Sequence, residues 1–439
     1  MIRAADMKSV CPPEPTMASQ GTKIGAMIAL SIAVFFNRSW GEDWSQYRGP
    51  LGDGKSAEAI GDLTPTKSEL SVTWKTPTPL GFSSFSVANG RAFTIIAKES
   101  DGETKEWVLA VDANSGRELW SVPLGASEYG HDGGNAGAPN NRGGDGPRST
   151  PSTDGQHVYV YDSHLLLACF DAASGQPVWE RQIVSEFDGR NIKWFNATSP
   201  LMDDKCIYVG GGGPGQSFLA FDKLTGDIVW KTGDEQITHA TPHLTVIEGT
   251  KQVIFFVQSG LVSLDASTGN ELWRTSFPFS VSTAASPVSE GNLVYCSAGY
   301  GVGAGLFRVN GGSEPDEVWF KANELMNHWS TPVVHEGHLY GMFEFKKYGR
   351  APLQCVDLAT GEIKWLERGF GPGNCILAGD KLIALSDAGE VVIVEARSDQ
   401  YNELARQKVV GGKCWSTPAY SDGKIFVRST VEGVCIQLD

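Results

Sequence analysis

One nine-residue phrase recurs five times in this chain of 439 residues: Asp112 to Trp120, Asp171 to Trp179, Asp222 to Trp230, Asp265 to Trp273 and Asp357 to Trp365 each read D-x-x-[ST]-G-x-x-x-W. Equal phrases need equal surroundings, and only an array of like units supplies them, so this repeat constrains the fold more than any other feature. The phrase also has a local physical reading. Asp with Ser or Thr can hold the amides of a tight turn, Gly provides the positive φ that closes it, and the residues after it run as a strand up to the tryptophan. Each copy therefore reads as the hairpin between two neighbouring strands.

A second phrase opens the units: Ser149-Thr-Pro151, Thr198-Ser-Pro200, Ala240-Thr-Pro242, Ala285-Ser-Pro287, Ser330-Thr-Pro332 and Ser416-Thr-Pro418. An Asp-Gly or Glu-Gly turn and a β-rich run usually follow, as in Asp154-Gly155, Glu336-Gly337 and Asp422-Gly423. Two further units are degenerate. Val309 to Trp319 keeps the tryptophan without the turn spacing, and Glu395 to Ala405 loses the tryptophan. The last unit stops at Asp439 just where its final strand is due, and Leu70 to Thr76, with Trp74, has the look of that missing strand. Unit ends at 74, 120, 179, 230, 273, 319, 365 and 405 give eight units of 40 to 59 residues, the period of a four-stranded propeller blade. The expectation is an all-β, eight-bladed propeller over residues 69–439, closed by pairing of the N-terminal strand with the C-terminal blade. Residues 42–68 are expected to pack on it as an N-terminal extension, including Glu42 to Gly54.

These phrases resemble the tryptophan-docking signature of the quinoprotein-like propellers. Together with Trp44-Ser-Gln-Tyr47-Arg48-Gly49-Pro50 they are most similar to the secreted bacterial PQQ-binding-like repeat proteins, over nearly all of the chain after residue 41. For the dehydrogenases of that superfamily the resemblance implies pyrroloquinoline quinone (PQQ) with Ca²⁺ on the ring axis, an Asp base and often a vicinal disulfide. This chain has no Cys-Cys pair and no clear Glu, Asn, Asp ligand set. The other relative, the propeller lipoprotein of the outer-membrane-protein assembly machinery, is a non-catalytic scaffold, and the lipid-attachment Cys is missing here.

Lys and Arg number 36 against 51 Asp and Glu, a net charge of −15 that disfavours a phosphate-tracking surface and hence a nucleic-acid partner. Any anionic ligand would need a local cationic cluster. The one long apolar run, Ile24 to Phe36, is shorter than the roughly 18 residues of a membrane span. With Lys23 before it and Ser39 and Gly41 after it, the run reads as a secretory signal cut before Glu42, with translation from Met1 or Met17, so residues 1–41 are extension and signal and the protein is expected to be periplasmic or secreted and monomeric. The seven later cysteines, Cys169, Cys206, Cys296, Cys355, Cys375, Cys414 and Cys435, have no CxxC spacing and mostly apolar neighbours, which favours buried thiols over bridges.

In a propeller the residues just before each opening phrase converge on one mouth of the central funnel. Here they are Arg148, Asn196, His239, Thr283, Asn327, His328, Trp329, Asn374 and Trp415. Arg148, Asn196, His239, Asn327, His328, Trp329, Asn374 and Trp415 form the candidate ligand-binding set, since a cation, hydrogen-bonding groups and stacking faces suit a planar anionic or polar ligand. The docking tryptophans read as inter-blade packing. No catalytic or metal-ligating residue is assigned. The loop Ser127 to Pro147, with His131, Asp132, Asn135, Asn141, Arg142 and Asp145, is long enough to act as a lid, but it does not match the glycine-rich calcium repeat. Gly210 to Gly213 lacks the Lys-Ser/Thr and helix of a phosphate loop, and Phe345 to Arg350 is a short basic turn. The functional expectation is a non-catalytic propeller that binds a protein partner or small molecule at the funnel mouth. A PQQ- and Ca²⁺-dependent alcohol or sugar dehydrogenase is the rival.

Overall fold

The computed structural model describes residues 41–61, 70–129, 146–312, 314–344 and 351–438. The signal-like run Ile24 to Phe36, the polar residues of the lid loop from His131 to Asp145 and the basic turn Phe345 to Arg350 lie outside the described residues. Eight sheets each have a core of four antiparallel strands, consecutive in the chain in seven of them, and the only described helix is the four-residue Ile183–Glu186. Blades 1 to 8 are numbered by their first strands: Ser86–Ala88, Ser152–Thr153, Leu201–Met202, His243–Ile247, Val288–Glu290, Val333–His335, Asn374–Ala378 and Ala419–Ser421. These first strands are short and mostly buried, and several touch the first strand of the next blade, which makes them the inner wall of an eight-bladed β-propeller. The fourth strand of blade 8 is Leu70–Pro77, paired antiparallel with Glu432–Leu438 from Leu70 opposite Leu438 to Pro77 opposite Glu432.

The repeated phrase is an inter-blade clamp. In blade 1, Asp112 Oδ1 accepts from the amides of Asn114 and Ser115 and from the Ser115 hydroxyl, and Gly116 has φ +68°. One extra residue then bulges out of the fourth strand just before the unit-final position: Thr73, Leu119, Val178, Val229, Leu272, Val318, Lys364 and Leu404. A bulge at this point adds twist, and it accounts for the fixed three-residue gap between Gly and Trp. The indole then lies on the turn of the next blade. Trp74 Nε1 donates to the Ala113 carbonyl, Trp120 to Ala172, Trp179 to Lys223, Trp230 to Ala266 and Trp319 to Leu358, at 3.0 to 3.1 Å. A Cβ on Gly116, Gly175, Gly226 or Gly269 would sit within 2.7 Å of that indole, so glycine is needed for close approach as well as for its φ. Trp273 faces the degenerate turn of blade 5 and bonds Gln252 Oε1 of its own blade instead.

The seam between blade 8 and blade 1, where the two chain ends meet, holds a fully buried cation. Arg428 donates to Thr94 Oγ1 and the Ile95, Thr78 and Leu80 carbonyls, and burial lowers its pKa to about 9. All seven described cysteines are buried and unbridged, six of them on strands. Gly210 ends the second strand of blade 3 and Gly211 to Gly213 begin the loop to the third, where a Cβ on Gly212 would collide with the Gln216 carbonyl. Among the described residues no helix is long and apolar enough to cross a membrane.

Candidate functional site: an aromatic funnel

The opening phrases form a hydroxyl collar around the axis. The Thr417 amide donates to Ser84 Oγ, Ser84 to Thr150 Oγ1, Thr150 to Ser199 Oγ, Ser199 to Thr241 Oγ1 and, further round, Ser286 to Thr331 Oγ1, at 2.8 to 2.9 Å. Each bond joins one blade to the next at the narrowest radius. Ser84 serves blade 1 although Phe85 stands in place of the usual proline, and blade 7 reads Gly371-Pro372-Gly373 with no hydroxyl to offer.

On the side of the collar from which the chain enters the inner strands lies a cavity of about 240 Å³. Its wall is aromatic: Phe82, Trp194, Tyr300, Trp329 and Trp415, with Tyr47 of the N-terminal segment. Phe82 stacks on Trp415 with centroids 4.9 Å apart, and Trp415 lies 4.3 Å from Trp329, a continuous π surface along one side. Cations gather at this surface. Arg148 donates from Nη1 to the Trp194 carbonyl at 2.6 Å and lies 5.0 Å from the Tyr129 ring, while Lys193 and Lys413 sit 4.7 and 4.6 Å from the rings of Trp194 and Trp415. None of the described residues lining the cavity is Asp or Glu.

Both histidines of the wall are neutral. Burial, then the Arg148 charge, then His328 hold His239 down to about 3, and burial followed by Arg148 does the same for His328. His239 Nε2 is 3.1 Å from the Lys193 carbonyl, which can only accept, so that nitrogen carries the proton and Nδ1 accepts from the Ser282 hydroxyl at 2.9 Å. His328 packs edge-on to Tyr300 at 4.9 Å.

Of the expected set, Arg148, His239, His328, Trp329 and Trp415 line the cavity. The three asparagines lie outside its lining. Asn196 is spent on the Asp162 and Thr198 carbonyls and on the Thr198 amide and hydroxyl, Asn327 on Tyr295 and the Met342 carbonyl, and Asn374 on the Trp415 carbonyl. Amide side chains at strand starts satisfy buried backbone groups there. Tyr47, Phe82, Trp194, Tyr300 and Ser282 were not legible as wall residues, because they belong to segments that the repeat does not index. Behind Arg148 the ring of Tyr129 leads to Glu106, a buried carboxyl that accepts from Tyr129 at 2.6 Å and from the Ser163 amide. Burial first, and then the Asp162 charge, push its pKa up to about 7.

The sequence model of the family described as outer membrane protein assembly factor BamB matches residues 104–367. The chain belongs to this family. The BamB match spans blades 2 to 6 and much of blade 1. Among solved structures, BamB from Moraxella catarrhalis is 14% identical with a TM-score of 0.55, over 84% of this chain and all of that one. The quinohemoprotein alcohol dehydrogenase of Comamonas testosteroni is 12% identical with a TM-score of 0.64, over 90% of this chain and 80% of that one. A second quinohemoprotein alcohol dehydrogenase, ADHIIG of Pseudomonas putida HK5, has a TM-score of 0.65 at 12% identity and the same coverage. At such identities these likenesses concern the fold. No curated protein sequence matches the chain.

Proposed function

We propose that this BamB-family propeller is a non-catalytic binding protein whose aromatic and cation-rimmed funnel receives a compact ligand or the side chain of a partner. The observation that carries the reading is the composition of the wall. Six aromatic rings and Arg148 offer stacking and charge, both histidines are held neutral, and among the described residues the lining has no carboxylate to serve as a base. The family description as an assembly factor is in keeping with a binding role. The secretory reading of Ile24 to Phe36 puts that role outside the cytoplasm.

A quinoprotein dehydrogenase is the second reading, favoured by the π surface and Arg148, which suit a planar anion such as PQQ. The Ca²⁺ that accompanies that quinone prefers six to eight oxygen ligands, commonly including carboxylates. Among the described residues no cluster of three or more His, Cys, Asp or Glu could hold a metal ion. The described residues of the wall thus fit the quinone half of that pair and not the metal half.

Equilibrium titration with PQQ, with and without Ca²⁺, alongside dye-linked alcohol and sugar oxidation separates the two readings. The binding reading expects no turnover under any condition. Calcium-dependent stoichiometric PQQ binding with turnover would overturn it.

A further inference from the structure

The N-terminal segment enters the ring. The aromatic and cationic side chains of the cavity precede the collar along the inner strands, whereas the partners of residues 44–56 lie at the collar, as Thr331 does, or beyond it: Val87, Thr153, Met202, Pro332 and Leu377. An inner strand presents an unpaired edge of N–H and C=O groups to the axis, and this segment bonds to blades 1, 2, 3, 6 and 7 at that radius. The Val87 amide donates to the Trp44 carbonyl (2.8 Å), the Thr153 amide to Ser45 (2.7 Å) and the Leu377 amide to Gly54 (2.8 Å). Gln46 pairs both ways with the Met202 backbone, accepting at 2.8 Å and donating at 3.1 Å. Lys55–Ser56 adds a parallel fifth strand to the inner edge of blade 7.

Arg48 anchors the segment. It is 2% exposed and donates to the Thr331 and Pro332 carbonyls of blade 6 and to Asp53 within its own segment, at 2.7 to 3.0 Å. Its own φ is +64° and that of Gly49 is +86°, in a turn closed by the Gly49 amide on the Gln46 carbonyl. A Cβ on Gly54 would sit 2.6 Å from the guanidinium. The Trp-x-x-Tyr-Arg-Gly-Pro phrase is therefore a folded key cut to the inner edges of the ring, and Tyr47 is the one residue of the key that lines the cavity on the other side of the collar.

We propose that Trp44 to Ser56 is an intramolecular peptide ligand of the ring, a seated plug that closes the axial channel and makes Tyr47 a ligand-contacting residue of the funnel. The claim about Tyr47 rests on the binding function proposed above. The ring closes through Leu70–Pro77, downstream of the plug, so the two are separable in principle, and residues 62–69 tether them.

The test uses the whole chain with a protease recognition sequence in place of residues 62–69. After cleavage the N-terminal fragment is expected to co-elute with the ring in gel filtration, and the same chain carrying Arg48→Ala is expected to lose it. Arg48→Lys retains the charge without the fork that spans two carbonyls, and it is expected to lose at least half of the fragment. Release of the unsubstituted fragment from a ring that keeps its β circular dichroism overturns the plug. The cavity is read separately in the uncut chain with 8-anilinonaphthalene-1-sulfonate, a planar aromatic anion. Tyr47→Ala is expected to weaken that probe about tenfold at an unchanged melting temperature, while Tyr47→Phe stays within twofold. Unchanged affinity in Tyr47→Ala overturns the role of the plug in the funnel and leaves the binding function standing. Absence of probe binding to the unsubstituted chain, with the fragment retained after cleavage, overturns the binding function and the role of Tyr47 and leaves the seated plug standing.

Discussion

The outer hoop and the inner mouth of this ring obey opposite rules. At the outer radius one device is copied from blade to blade: an Asp-capped turn, a glycine under an indole, and a tryptophan donating to the next blade. At the mouth no single residue is imposed, and the side chain changes from one contributing blade to the next, only Trp and His being used twice: Phe82, Arg148, Trp194, His239, Ser282, His328 and Trp415. The collar between them is intermediate, repeated in its hydroxyls and broken at blade 7, the same blade whose inner edge accepts Lys55–Ser56. The difference teaches that positions obeying the repeat carry stability, and that specific chemistry collects where the repeat imposes no residue.

The contrast is broken most directly by removing a member of the hoop. Trp179→Ala deletes a nearly buried indole together with its bond to the Lys223 carbonyl, and about 3–5 kcal/mol of stability should be lost by denaturant titration. Trp194→Ala at the mouth should cost about 1 kcal/mol or less, since that ring is only half-buried. A loss equal to that of the hoop variant would erase the distinction.

Glu106 lies behind the mouth, where its carboxyl accepts from Tyr129, the ring that faces Arg148. Its carboxyl is raised from 4.5 to about 7 in the fold, so the folded state binds the extra proton between those values. This contribution is fully present below pH 4.5 and is lost as pH rises through 7, a change of about 3 kcal/mol. The neutral histidines of the mouth give the opposite slope, losing stability as pH falls below 6.5. The difference in melting temperature between the unsubstituted chain and Glu106→Gln isolates the carboxyl, and it should shift in favour of the variant between pH 5 and pH 8. A difference independent of pH would show that Glu106 does not titrate there.

A smaller effect sharpens the role of the hoop glycine. Gly226 (φ +69°) lies under Trp179, whereas Gly249 (φ +80°) has nothing within 4 Å of where a Cβ would be. Both alanine variants bear the left-handed strain of about 1 kcal/mol, and Gly226→Ala should cost at least a further ~1 kcal/mol for collision with the indole. Equal losses would reduce the glycine to a turn residue. The smallest expected stability change is at Arg148→Ala, within about 1 kcal/mol, yet anilinonaphthalene sulfonate affinity should fall several-fold as the cation leaves the π surface. Unchanged affinity would remove Arg148 from the binding surface.

The sequence by itself determined the ring. Five intact phrases, two degenerate ones and the strand at Trp74 fix the number of blades, because each phrase is a local hairpin whose turn chemistry and bulge need only a few neighbouring residues. What only the tertiary structure decided lies on the axis. Asn196, Asn327 and Asn374 were chemically as suitable for a ligand as Arg148 or His239, and they turn instead to backbone carbonyls whose directions exist only once the strands are paired. The same holds for residues 44–56. Their partners are the unpaired inner edges of separate blades, brought within one channel from positions up to several hundred residues away in the chain, and no local pattern encodes an edge that forms only when the ring closes.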